Sequence, residues 1–206
     1  KATARLGEQD AQAVLPKALG VIGESAVEDI IAGLAASQYP ETTLRRYVDA
    51  LILIGPDAIS SLANALSHTS PQVRSGAVLT LGTSGKSAGH LVPKIITLLD
   101  DDDAFVRASA AEALGKLGPA ARAAAPILAG KLNDKVSRVR AAAVDGLGKT
   151  AGDDVTYAAL FASALNADEA SVRIAATRVL SKLPAIATAA AENLVAALVD
   201  EDEHVR

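Results

Sequence analysis

The sequence predicts an all-α solenoid of stacked antiparallel helix pairs, and three observations carry that reading. The first is a phrase of Leu, six residues, then Val-Arg. It runs from Leu66 to Val73-Arg74, Leu99 to Val106-Arg107, Leu132 to Val139-Arg140, Leu165 to Val172-Arg173 and Leu198 to Val205-Arg206, always 33 residues apart. A fixed period of this length marks a repeat whose units cannot bury their apolar faces alone and must lean on their neighbours. The second is composition: half the residues are hydrophobic but only 2% aromatic, so the core is built from Ala, Val, Leu and Ile, and its small side chains let helices approach closely. The third is punctuation, a Leu-x-x-x-Gly ending that returns through the first four units at Gly23, Gly55, Gly85 and Gly118, with Pro56 and Pro119 directly after two of them. Glycine closes a helix in a backbone conformation other residues avoid, and proline prevents its continuation.

Residues 1–7 carry no assignable pattern, and the first helix is expected from about Gln9 to Ile22. Within the first helix of each later unit, Val73, Ala77 and Leu81 are spaced by four, as are Val106, Ala110 and Leu114, Val139, Ala143 and Leu147, and Val172, Ala176 and Leu180. Such spacing puts one stripe on one helix face. The central alanine is expected to be where a neighbouring helix comes closest, so a larger side chain there should overpack. Second helices are expected over 25–35, 57–67, 88–99, 121–132, 154–165 and 186–198. Their inward columns are Leu62, Ile95, Leu128, Phe161 and Leu194 and, one turn on, Leu66, Leu99, Leu132, Leu165 and Leu198. Leu132, in the middle of the array, is expected to be buried by its own unit and both neighbours.

Residues 1–206 therefore read as a single array of about six helix pairs. The first two are irregular, since Leu19 to Leu51 is 32 residues and Leu51 to Leu81 is 30, and a seventh starts at 203–206. Loops absorb such changes in length at little cost. With no initiating Met, the chain reads as a fragment of a longer array.

The net charge of −4 and pI near 5.4 oppose binding to nucleic acid, whose affinity comes largely from Lys and Arg meeting phosphates. No apolar run approaches the roughly 20 residues needed to cross a bilayer, so membrane insertion is not expected. Without cysteine there is no thiolate ligand or nucleophile. His68, His90 and His204 lie in different repeats, so no metal site is expected, nor is any cofactor. Asp100–Asp103 lacks the EF-hand spacing and reads as a solvated loop capping the next helix. Asp153-Asp154 reads as a complement to a helix dipole.

The run Asp101-Asp-Asp-Ala-Phe-Val-Arg-Ala-Ser-Ala-Ala-Glu-Ala-Leu-Gly-Lys-Leu-Gly118 resembles the HEAT-like repeat of the phycobilisome-lyase (PBS lyase) type. The similarity covers roughly residues 8–206. It implies an armadillo-like, right-handed superhelix whose second helices line the concave side, and a non-enzymatic scaffold that binds a protein or peptide. The alternative it implies is a subunit of a phycobilin lyase-type chromophore attachment system. The related deoxyhypusine hydroxylases use His-Glu pairs, and no histidine here is followed by Glu. The resemblance also implies a structural ladder in which Arg74, Arg107, Arg140 and Arg173 meet Asp101, Asp134 and Asp200. His68 and Ala167 stand where two further acids belong, so the ladder is expected to break at those joints, with Ser70 and Asp168 serving as local helix caps. On the expected concave face the exposed column is Asn64, Thr97, Gly130, Ser163 and Ala196, flanked by Lys94, Lys131 and Asn193. These residues are the candidate partner-binding surface.

Overall fold

A computed structural model of the chain describes residues 25–36 and 41–206. The expected first helix, Gln9 to Ile22, and the stop at Gly23 lie outside the described residues. Within them the chain is all helical and falls into two units, residues 1–88 and 89–206. The first contains α1 (Ser25–Ala36), α2 (Glu41–Ile54), a 3-10 turn (Gly55–Ala58) leading into α3 (Ile59–Ala65), and α4 (Pro71–Thr83). A second 3-10 segment, Gly85–Leu91, leads into the other unit. That unit contains α5 (Val92–Thr97), α6 (Ala104–Leu117), α7 (Ala125–Lys131), α8 (Ser137–Ala151), α9 (Ala158–Ala164), α10 (Ala170–Leu180), α11 (Pro184–Ala189) and α12 (Ala191–Ala197).

In the second unit the helices alternate as the 33-residue period requires. The first helices α6, α8 and α10 pack side by side, and each second helix folds back on them. Val106, Ala110 and Leu114 are fully buried, as are Val139, Ala143 and Leu147. A tight backbone approach also lies about one turn away from the central alanines. A Cβ on Gly115 would stand 3.0 Å from the Gly146 Cα, and one on Gly146 would stand 2.7 Å from the Ala111 carbonyl oxygen. The alanines fill the seam, while the glycines let the two backbones touch.

The stops are where the spacing put them, with a refinement in their geometry. Gly55, Gly85, Gly118 and Gly152 all have positive φ. Gly118 and Gly152 combine φ of 59° and 64° with ψ of −133° and −145°, a region outside the left-handed helical well that is essentially reserved for glycine. The sharper turn tips the chain into a short 3-10 segment before each second helix, Gly118–Ala124 before α7 and Val155–Tyr157 before α9. These second helices thus begin as 3-10 turns where the periodicity suggested unbroken α-helix, whereas α11 starts directly as α-helix at Pro184.

Three expectations of burial are corrected, the first at Leu194, which is half-buried while the rest of its column is buried. Leu132 is only half-buried, whereas its counterparts Leu99 and Leu165 are buried. Leu198, the next in that column, is 64% exposed. Residues 44–65 form a helical stretch of 22 residues with a mean hydropathy of 1.2, apolar enough by length and composition to cross a bilayer. Gly55 and Pro56 interrupt it, so it does not read as one apolar run in the sequence. The positive φ at Gly55 ends α2 there, and Leu51, Ile54, Ala58 and Leu62 on either side turn into the core of the first unit.

Candidate functional site

The Val-Arg arginines each do two jobs. Arg107 donates from one terminal nitrogen to the carbonyls of Asp101 and Asp102, closing the loop that precedes its own helix. Its Nε and other terminal nitrogen reach the Asp134 carboxylate of the following repeat at 2.8 and 3.0 Å. Arg173 repeats the pattern, donating to the carbonyls of Ala167 and Asp168 and gripping Asp200 at 2.8 and 2.9 Å. In the first unit Arg74 donates to the carbonyls of His68 and Thr69. Two parallel charge-assisted bonds fix both distance and orientation, as a guanidinium fork on a carboxylate does.

The acids hold their own loops as well. The backbone N–H two residues on donates to a carboxylate oxygen of Asp101, Asp134 and Asp200 at 2.9, 2.9 and 2.8 Å. His68 keeps this part of the acid's role, because its Nδ1 accepts from the Ser70 N–H at 3.0 Å. Burial pushes the Asp134 carboxyl up, but the bonds from Arg107 and the Val136 N–H, with the charges of Arg107 and Lys131, bring it below the usual carboxylate range. Asp200 is lowered chiefly by Arg173.

The joint at Ala167 departs from expectation. Instead of breaking, the ladder is carried by Glu169, two residues on, which pairs with Arg140. The bond from Arg140 is also the main reason the Glu169 carboxyl is lowered. The expected caps do not form: Ser70 accepts no bond from the backbone of the helix it precedes, its hydroxyl donating instead to the Gln72 side chain at 2.8 Å, and Asp168 is exposed, with Glu169 in the capping position of α10. Asp103 does cap α6, accepting from Phe105 and Val106 at 2.8 and 3.1 Å.

Asp153 and Asp154 divide their work. Asp154 accepts from the Thr156 N–H of its own helix, while Asp153 reaches into the next repeat and accepts from the Ala185 and Ile186 N–H groups that open α11, each at 3.1 Å. A carboxylate at the first turn of a neighbouring helix satisfies donors that have no partner within it. Spacing within one helix does not reveal this staple, nor does it single out the Asp145–Arg178 pair at 2.8 Å, although its partners are one full period apart.

Of the candidate face, Thr97, Gly130, Ser163 and Ala196 are all exposed in the second unit, and Asn64 is exposed in the first. Lys94 is exposed and Asn193 half-buried. Lys131 is committed elsewhere, to an ion pair with Asp100. Beside this column lies a recess of about 220 Å³ lined by Leu132, Arg140, Leu160, Ser163, Ala167 and Val172, among others. No cluster able to hold a metal ion occurs among the described residues.

A face of short side chains on stacked helix pairs, stapled by arginine forks, defines an α-solenoid scaffold. The sequence model for HEAT repeats matches residues 59–148 and again 92–181, together more than half of the chain, which therefore belongs to the HEAT-repeat family. That match, with the lyase complex described next, is consistent with the phycobilisome-lyase HEAT-like pattern read in the sequence. The chain is similar to the complex of CpcE and CpcF of phycocyanin lyase from Nostoc sp. PCC7120, at 25% identity and a TM-score of 0.59, over 87% of this chain and 73% of that one. An engineered protein solved by the Northeast Structural Genomics Consortium shares the fold at 20% identity and a TM-score of 0.61, over 88% of this chain and 85% of that one. No curated protein matches the chain.

Proposed function

We propose that the array is a non-enzymatic scaffold that holds a protein or peptide partner on the concave face formed by its second helices. The observation that carries this reading is the exposed column Thr97, Gly130, Ser163 and Ala196. These side chains are short and uncharged, so the column offers an open trough with few anchors of its own. Such a trough suits a helix or extended segment that brings anchoring residues with it. Arginine at Thr97 and Ser163 together should leave folding nearly intact, since exposed helical sites tolerate substitution within about 0.5 kcal/mol. The double variant should lose the partner recovered with the wild-type chain. Binding that persists there, but disappears on changing the exposed face of α6 and α8, would overturn the assignment.

The likeness to the CpcE and CpcF complex favours a second reading, a subunit of a phycobilin lyase-type chromophore attachment system. Purified protein mixed with a bilin distinguishes the two. A lyase subunit should perturb the chromophore's absorbance, and a plain scaffold should leave it unchanged.

A further inference from the structure

The recess beside Ser163 has a physical origin in the ladder. Asp101, Asp134 and Asp200 share one register, and Ala167 occupies that register in the intervening repeat. Replacing a carboxymethyl group by a methyl removes both the volume and the charge that fill the other joints. Three features follow. The Arg140 side chain is 19% exposed, against 7% and 8% for Arg107 and Arg173. Leu132, buried at the equivalent Leu99, is half-uncovered and forms one wall. Arg140 donates to the Asp134 carbonyl and to one oxygen of Glu169, while its Nε donates to no described residue.

Glu169 does not line the recess. It meets the guanidinium at Nη2, a nitrogen with two N–H groups that at Arg173 serves Asp200 and Glu201 together, and it leaves Nε unused. We propose that this vacated rung is a docking notch for a carboxylate side chain, an aspartate or glutamate brought by a partner segment lying along the second-helix face. The inference rests on the partner-binding reading above and adds its anchor. Ser163 and Asn166 supply polar groups at the rim, and Leu132, Leu160 and Val172 take the methylene stem.

The other charged group lining the recess is Asp168, which is exposed; Glu169 stands outside it. Neighbouring carboxylates do not prevent occupation of a rung in this protein. Arg107 feels Asp103 and Asp101 in addition to Asp134, and still holds Asp134 ionised below its ordinary range.

The test is an NMR titration of the arginine Nε–H signals in the intact chain with N-acetylglutamate methylamide, which carries one side-chain carboxylate. The glutamine counterpart and inorganic phosphate serve as the other arms. The Arg140 signal should shift saturably with the carboxylate and at least tenfold more weakly with the glutamine compound, while the Arg107 and Arg173 signals stay in place. In Ala167→Asp, which refills the rung from within, the Arg140 response should fall at least tenfold.

An unmoved Arg140 signal, an equal response to glutamine, equal movement of Arg107, or a response to phosphate alone would each overturn the proposal. The wild-type comparison of Arg140 with Arg107 stands even if Ala167→Asp does not fold. A negative titration with partner capture still blocked by Thr97→Arg and Ser163→Arg removes the notch and leaves the scaffold reading. A positive titration without such blocking does the reverse.

Discussion

Two joints of the second unit, built to one plan, differ at a single register position. At the Arg107 joint, Asp134 fills the rung, Leu99 is buried, and the guanidinium makes two parallel bonds to a carboxylate that also ties down its own loop. At the Arg140 joint, Ala167 leaves the rung to Glu169, Leu132 is half-buried, and a recess opens. One side chain therefore sets how tightly two neighbouring repeats close, because it supplies the volume, the charge and the loop-closing acceptor together.

The comparison is broken most severely by emptying the closed joint. Asp134→Ala removes one partner of a pair whose side chains are 7% and 8% exposed, leaving Arg107 desolvated and unpaired. A loss of about 3 to 5 kcal/mol is expected, the usual consequence of breaking such a pair from one side. The urea midpoint measures it. A loss under about 1 kcal/mol would mean that the fork behaves as an exposed pair.

The leucines test the same contrast in apolar terms. Leu99→Ala deletes a fully buried side chain and should cost about 2 to 5 kcal/mol. Leu132→Ala empties a site already open on one side and should cost clearly less, under about 2 kcal/mol. Equal losses in thermal or chemical unfolding would show that the recess closes in solution.

Acid should separate the joints as well. The Asp134 carboxyl is lowered from its ordinary value of 3.8, so the native state binds its proton less readily than the unfolded chain does. Its stabilisation is complete above that value and is lost as pH falls through the lower native one. The stability gap between the wild type and Asp134→Asn should accordingly be flat at neutral pH and shrink below about pH 4. A gap that instead narrowed between pH 5 and 7 would point to a different titrating group.

How much of this was legible in the sequence depends on which interactions obey the period. The stripes through Ala110 and Ala143 recur at a fixed step and the stops at Gly55, Gly85 and Gly118 share one Leu-x-x-x-Gly pattern, so spacing finds them, while the partners of Arg107 and Arg173 followed from the resemblance to the HEAT-like repeat. What spacing cannot find is compensation off the register. Glu169 lies two residues beyond the vacant position, and Asp153 reaches across to α11 instead of its own helix. Leu132 illustrates the same limit, since its neighbours in the column are buried and only the loss of a carboxylate 35 residues away uncovers it. The 3-10 starts of the second helices depend on the ψ of the stop glycines, which residue identity does not specify. The proposed partner-binding column was readable only as exposure, because a row of short side chains leaves no motif.

The gentlest substitution sharpens the comparison by repairing the open joint. Ala167→Asp places a carboxylate in the register of Asp134 and Asp200, where the N–H two residues on and the unused Nε of Arg140 can both donate to it. The rung is solvent-accessible and Glu169 already satisfies part of the guanidinium, so the gain should be small, about 1 kcal/mol. Two side effects distinguish a true rung from a surface charge. Leu132 should become less accessible, which amide exchange across α7 and the loop to α8 would register as slower opening. The stabilisation should also weaken only slightly with added salt, since a partly buried fork is screened less than an exposed pair. A variant of unchanged stability and unchanged exchange would show that Glu169 alone completes the joint, and that the recess owes nothing to the missing acid.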